Sequence, residues 1–225
     1  MYVSEAVKTR FSCRAFTEKP VSKELIKEIL DVAKQAPSGG NLQPWHIHVI
    51  SGKKLDQIVS DIESKITDMP MGEKTEYDVY PPNLWEPYRS RRFKCGEDLY
   101  KSINIPREDK GARLSQLAKN LRFFGAPVGL FVYIDRKMGP PQWSDVGMFL
   151  QTVMLIAREK GLHSCAQEAW AMWHSTVNRH LVVDNNLMLF CGMGIGYADE
   201  NHPINSWRTE REAVENFTTF YGFEK

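Results

Sequence analysis

The chain has 225 residues, 42% hydrophobic and 25% charged, ordinary values for a soluble globular protein with room for one sizeable core. Lys+Arg is 29 and Asp+Glu is 28, a net charge of +1, which argues against nucleic acid or an anionic membrane surface as partner. The four cysteines (Cys13, Cys95, Cys165, Cys191) form no CxxC pair, which argues against a disulfide framework or a zinc site and suits a cytoplasmic protein. No signal-peptide pattern opens the chain, and its longest apolar runs are far shorter than the roughly 20 residues of a membrane span.

In chain order, apolar residues at 3, 6 and 7 predict a short helix over 3–10. Ser22 is a candidate N-cap for a helix whose face carries Leu25, Ile26, Ile29, Leu30 and Ala33, with Pro37 as its stop. Residues 45–50 alternate and end at Ser51-Gly52, the pattern of a strand. An amphipathic helix is expected over 54–66. Residues 67–106 hold five prolines and many aromatics without a long period; they predict an excursion with short helices, either covering a site or forming a surface insertion. Helix returns over 111–124, and 128–134 is a nearly continuous apolar run that predicts a strand buried on both faces. A helix over 145–160 stops at Gly161, residues 161–170 read as a link, and helix follows over 170–181. Residues 187–195 predict a strand ending in Gly192-Met193-Gly194-Ile195-Gly196, read as close sheet packing. No repeat or domain boundary is evident, and the order of elements implies a sheet wrapped by helices.

Three segments carry chemistry. Arg10, Ser12 and Arg14 alternate, so an extended backbone would put all three on one side; the same residues also suit a solvated helix end. The run from Pro37 to Trp45 (Pro-Ser-Gly-Gly-Asn-Leu-Gln-Pro-Trp) can bring backbone close to a ligand; an ordinary turn explains its Gly, Pro and Asn but not Gln43 and Trp45. Arg208 and Arg211 supply cations near the far end. Guanidinium forks match phosphate, and Asn/Gln amides match ring carbonyls and imides. A ligand with a phosphate at one end and a planar hydrogen-bonding ring at the other fits, and flavin mononucleotide (FMN) meets that description. His163 and Cys165 lack an orienting partner and read as structural, Glu168 reads as a surface carboxylate or a general acid, and the six histidines show no metal spacing. No GxGxxG follows a strand.

Together these motifs resemble the nitroreductase family of FMN-dependent oxidoreductases. The resemblance runs from Val7 to the C-terminus and is weakest over about 67–110. Its most specific part is Pro37-Ser38 through Asn41, Gln43, Pro44 and Trp45, and residues 143–151 and 161–173 resemble the branch that includes nitrobenzoate reductases. The resemblance implies an α+β sandwich with a central, mainly antiparallel sheet in an intertwined homodimer. One FMN-binding domain would span 1–225, with 67–106 lid-like and 203–225 wrapping the partner. Arg10, Ser12 and Arg14 would hold the phosphate and neighbouring groups with Arg211 and Arg208, and Phe11 would also count among the cofactor-binding residues. Pro37, Ser38, Gly39 and Asn41 would come from the other subunit, and Gln43 would also bind the cofactor. Asn120 would meet the ring edge, Gln167, Glu168 and Ala169 would present backbone N–H groups to the flavin, and Ala166 would also belong to the cofactor site. Phe11, Ala166 and Ala169 depart from the residues frequent in the family.

The activity implied is NADH- or NADPH-dependent reduction of nitroaromatic, quinone or similar small-molecule acceptors. One flavin serves both half-reactions in a ping-pong scheme, with no catalytic side chain and no metal. Trp85, Tyr88 and Trp143 are candidates to line the acceptor pocket, or else pack in the core. A specialised flavoenzyme of the same fold (reductive dehalogenation, flavin-related chemistry) and a flavin-binding protein without turnover are the alternatives.

Overall fold

A computed structural model describes residues 1–223. At its centre lies a four-stranded sheet: β1 (His46–Ser51), β2 (Val128–Asp135), β3 (His163–Gln167) and β4 (Leu187–Gly196). The spatial order is β1-β2-β4-β3, and every neighbouring pair is antiparallel. Composition decides which strands are central. β2 is buried at every residue but Asp135, and β4 at every residue but Phe190, so both need cover on two faces. β1 and β3 carry more polar residues and take the edges.

Helices cover both faces. On one lie α2 (Lys23–Ala33) and the 20-residue α6 (Pro140–Glu159). Val128, Leu130, Val132 and Ile134 of β2 point to this side, against Ile26 and Ile29 of α2 and Val146, Phe149 and Val153 of α6. On the other face lie α3 (Gly52–Lys65) and α7 (His174–His180), where Phe131 and Tyr133 meet Ile58, Ile62 and Val177. Each such side chain contributes about 1.5–3 kcal/mol on full burial. Ser22 caps α2 by accepting the Leu25 N–H at 3.1 Å, and Gly161 (φ +76°) ends α6 in the left-handed region.

The Gly-rich end of β4 packs closely, as its sequence implied. A Cβ at Gly192 would lie 2.3 Å from Trp170, and one at Gly129 of β2 would lie 2.4 Å from Phe123. The two rings stack on each other at 4.5 Å and lie on bare strand backbone.

Several expectations need correction. Residues 161–170 are not only a link, because 163–167 form β3, which exchanges backbone hydrogen bonds with β4; five residues of mixed polarity gave no alternation to read. The helix expected over 111–124 stops early. α5 (Lys110–Ala118) gives way to a 3-10 turn, Lys119–Gly125, in which Phe123 and Phe124 have φ of +49° and +55°. Such residues cost about 1–2 kcal/mol each, and here they send Phe123 into the core. The helix expected over 170–181 is a 3-10 turn, Glu168–Trp173, followed by α7. α6 begins five residues early because Pro140 and Pro141 suit its first turn. Within 67–106 stands one helix of 15 residues, α4 (Tyr88–Ser102), rather than several short ones; none of its residues is buried, so it shows no strong apolar stripe.

Candidate functional site

The N-terminal helix α1 (Val3–Thr9) ends at Arg10, whose backbone is extended. The next residues run beside the outer edge of β3: Ser12 bridges Ser164 in parallel, and the Cys13 N–H donates to the Ser164 carbonyl at 3.0 Å. The extended geometry expected of Arg10, Ser12 and Arg14 is therefore imposed by a strand that was not anticipated. Asn205, buried in the short helix α8 (Pro203–Ser206), ties the far end of the chain to this segment. Its Oδ1 accepts from the Arg14 N–H at 3.0 Å, and its Nδ2 donates to the carbonyls of Ala15 (2.7 Å) and Asp199 (2.8 Å). Nothing in the sequence singles out Asn205, three residues before Arg208, because its partners lie far away in the chain.

The clamp closes a cavity of about 510 Å³ whose lining includes Arg10, Phe11, Ser12, Arg14, Arg208 and Arg211. The residues expected from opposite ends of the chain are thus brought together. Among the described residues none of these four arginines forms an ion pair, although 12 ion pairs of Lys or Arg with carboxylates exist elsewhere. Burial, then the positive charge of Arg211, lowers the Arg10 pKa. Like charges held around one hollow are costly without an anion between them. Phe11 has a place in this arrangement despite its apolar side chain. The Arg208 guanidinium lies 3.9 Å over its ring, and the ring packs 4.8 Å from His163. Arg208 also donates to the Asn205 carbonyl at 2.5 Å, which fixes the guanidinium from a second side.

A second cavity of about 990 Å³ adjoins the first, with Arg14 and Cys95 lining both. One wall is Gln116, Leu117, Asn120 and Phe124; the opposite wall comes from the excursion, including Tyr80, Arg92 and Phe93. Asn120, expected at a ring edge, sits on this wall, and its carbonyl and Oδ1 accept from Gln167 Nε2 at 2.8 and 3.1 Å. Gln167 Oε1 is buried and has no hydrogen-bond partner among the described residues.

Other expected residues lie elsewhere in the single chain. The Pro37–Gln43 turn is mostly exposed and lines neither cavity. It has φ of +57° at Gly40 and Asn41 and +50° at Gln43, held by the Gly39 N–H on buried Asp145 (3.2 Å) and the Gln43 N–H on Ser38 Oγ (3.0 Å). Trp45 stacks on Phe149 at 4.8 Å, a core role that accounts for it without a ligand. Ala166 and Glu168 are exposed where β3 passes into its 3-10 turn, Ala169 is half-buried beside them, and none lines either cavity. Enough protein surrounds the Glu168 carboxyl to raise its pKa by desolvation.

Of the aromatic pocket candidates, Trp85 and Tyr88 stand exposed at the start of α4, edge-on to each other at 5.5 Å, and line neither cavity. Trp143 packs edge-on against Tyr77 (5.4 Å) and Phe190 (5.9 Å) and donates its indole N–H to the Met138 carbonyl, so it belongs to the core of the α6 face. Tyr80, Arg92 and Phe93 were not singled out in their place. Tyr80 and Phe93 were marked only by the aromatic content of a segment without a period, and nothing in the sequence marked Arg92.

His163 and Cys165 are structural, as their spacing implied. Burial, then Arg158 and Arg208, lowers the His163 pKa to about 4, and burial raises that of Cys165 to about 11. Neither is poised as base or nucleophile near neutral pH. The described residues include no cluster of three or more potential metal ligands, and no helix among them is long and apolar enough to cross a membrane.

Comparison with known proteins identifies the family. The Nitroreductase family model matches residues 7–197. A 4-nitrobenzoate reductase of Pseudomonas putida is 40% identical over 219 residues, covering 97% of this chain and 95% of its own length. A nitrobenzene nitroreductase of Ectopseudomonas oleovorans is 35% identical, covering 97% and 96%. Among solved structures, the FMN and NADPH-dependent nitroreductase NfnB from sphigopyxis sp. strain HMH superposes with a TM-score of 0.96 at 45% identity, covering 99% of this chain and 100% of that one. With its α+β sandwich, its antiparallel sheet and a match over most of its length, this chain belongs to the nitroreductase family.

Proposed function

We propose that this protein is an FMN-dependent NAD(P)H oxidoreductase that reduces nitroaromatic, quinone or similar acceptors. The observation that carries the reading is the convergence of Arg10, Arg14, Arg208 and Arg211, unpaired among the described residues, with Ser12 around one cavity of about 510 Å³. Four guanidinium groups and a hydroxyl are the donor set of a phosphate monoester. Asn120, on the wall of the adjoining cavity and held by Gln167 Nε2, adds an amide that suits a ring edge. The residues present therefore fit FMN, and the FMN-dependent relative at 45% identity supports the choice.

When bound, the flavin supplies the hydride chemistry between NAD(P)H and the acceptor. The chain's own work is positioning. Arg10, Ser12 and Arg14, with Arg208 and Arg211, would hold the phosphate; Asn120 and Gln167 would border the ring, and Ala166–Ala169 would offer backbone N–H groups. Pro37, Ser38, Gly39, Asn41 and Gln43 would complete the site from a second copy, in keeping with a turn that stands exposed in the single chain. A homodimer also accounts for exposed Tyr2, Val3, Phe217, Phe220 and Tyr221 at the two ends of the chain, with the tail from 203 wrapping the partner; its last two residues lie outside the described residues. Residues 67–106 would act as a lid over the larger cavity. We assign no side chain as acid or base, because His163 and Cys165 are buried and out of range, and an open cleft admits solvent protons. The four free cysteines fit a cytoplasmic location.

The test is direct. Purified protein should be yellow, release flavin on denaturation, and oxidise NADH or NADPH when given a nitroarene or quinone. Colourless protein that gains no such activity on addition of FMN overturns the reading.

A further inference from the structure

The 990 Å³ cavity holds a feature that cofactor binding does not use. Its size lies at the upper end of the roughly 300–1,000 Å³ typical of small-molecule sites. Tyr80 and Phe93 from the excursion, and Phe124 from the 3-10 turn after α5, give it aromatic surfaces. Its charged groups divide cleanly. Glu97 is held by Arg113 through two hydrogen bonds of 2.7 and 3.0 Å, and Arg89 is paired with Glu86 at 2.9 Å. Arg14 donates to the Ser12 carbonyl at 3.2 Å and faces the arginine cavity as well. Arg92 is different. Among the described residues it has no carboxylate partner and no side-chain hydrogen bond, yet its guanidinium is held 4.2 Å over the Tyr80 ring. Stacking orients the planar fork and leaves its N–H edge without a protein partner and open to solvent, from where Arg can grip a carboxylate.

Resting on the oxidoreductase reading above, we infer that this cavity selects aromatic acceptors carrying a carboxylate, with Arg92, oriented by Tyr80, as the residue that recognises the charge. The aromatic walls take the ring, and Arg92 takes the anionic substituent at the solvent side, where α4 is exposed. An uncharged nitroarene of the same size would lose only the Arg92 interaction. A phosphate of the nicotinamide dinucleotide is the other anion that could meet Arg92, and the experiment separates the two.

The variants are Arg92→Met, which keeps the stem, and Arg92→Lys, which keeps the charge. Steady-state kinetics would be measured with 4-nitrobenzoate and nitrobenzene as acceptors, and with NADPH and NADH as reductants. The expected result for Arg92→Met is a KM for 4-nitrobenzoate raised at least about fivefold, with kcat within about twofold and the nitrobenzene KM unchanged. Arg92→Lys should recover part of the loss. An equal rise for both acceptors, or a rise confined to NADPH, overturns the inference. Calorimetric titration of the FMN-loaded protein with benzoate and with uncharged benzamide reads the same contact without turnover. Wild type should prefer benzoate and Arg92→Met should not; wild type that binds both alike overturns the inference. If wild type reduces nitroarenes but discrimination is unchanged in the variant, only the role of Arg92 fails. If it reduces none, the oxidoreductase reading fails, and the benzoate titration still decides whether the anion site exists.

Discussion

Replacing Gly192 by alanine tests the closest approach that side chains make to any glycine of the chain. The added methyl would sit 2.3 Å from Trp170 Cδ1, 2.8 Å from its Cγ and 3.0 Å from Phe123 Cε1. All three are ring atoms of side chains with no solvent exposure, and the two rings stack on each other at 4.5 Å, so neither can swing aside. Relief requires the sheet and the 3-10 turns to part by about an ångström. Overpacking of this kind costs about 1–3 kcal/mol, and the rigidity here places Gly192→Ala near about 3. For a chain of this length that lowers Tm by roughly 6–12 °C. Gly111→Ala is the control: its nearest new contact is Asp109 Oδ1 at an ordinary 3.7 Å, so its Tm should stay within about 2 °C. Circular dichroism melts at matched chain concentration, with and without FMN, make the comparison, because a ligand bound only by the native state raises Tm by mass action. A Gly192→Ala melt within about 2 °C of wild type would refute the claim that aromatic rings rest on bare strand backbone.

Three further outcomes follow from other parts of the structure. Arg208→Met should weaken FMN binding about tenfold or more in a fluorescence-quenching titration while riboflavin, which lacks the phosphate, binds as before; equal loss for both ligands contradicts the phosphate role. His163 is held near pKa 4 by burial, then by Arg158 and Arg208. Above about pH 6.5 the group is neutral whether folded or unfolded; between about 6.5 and 4 only the unfolded chain binds the proton, so stability falls with pH by up to about 3 kcal/mol. His163→Leu should remove that share of the acid sensitivity in urea midpoints compared at about pH 7.5 and 4.5, and an unchanged difference between the two pH values would count against it. Ser22→Ala deletes the cap on Leu25 and should cost about 1 kcal/mol at unchanged denaturant m-value; an unmoved midpoint means that the cap is silent.

The sequence by itself determined the features governed by local chemistry. Apolar runs at 128–134 and 187–195 dictated central strands, the period of α2 its buried face, and the alternation of Arg10, Ser12 and Arg14 a common side. The small residues 192, 194 and 196 announced close packing, and the motif order disclosed the family before any coordinates. Tertiary structure decided the features that depend on partners far along the chain. β3 exists because β4 offers it a hydrogen-bonding edge, although five residues of mixed polarity carry no strand signal. Phe123 adopts left-handed backbone because burial of its ring against Gly129 and Gly192 outweighs a local cost that sequence propensity counts alone. Trp143 went to the core and Arg92 to a cavity wall, since exposure of an aromatic or a cation depends on which surface it meets after folding. Asn205 joins Arg14 across 191 positions, a distance at which no periodicity survives and only three-dimensional closure of the chain can choose the pair.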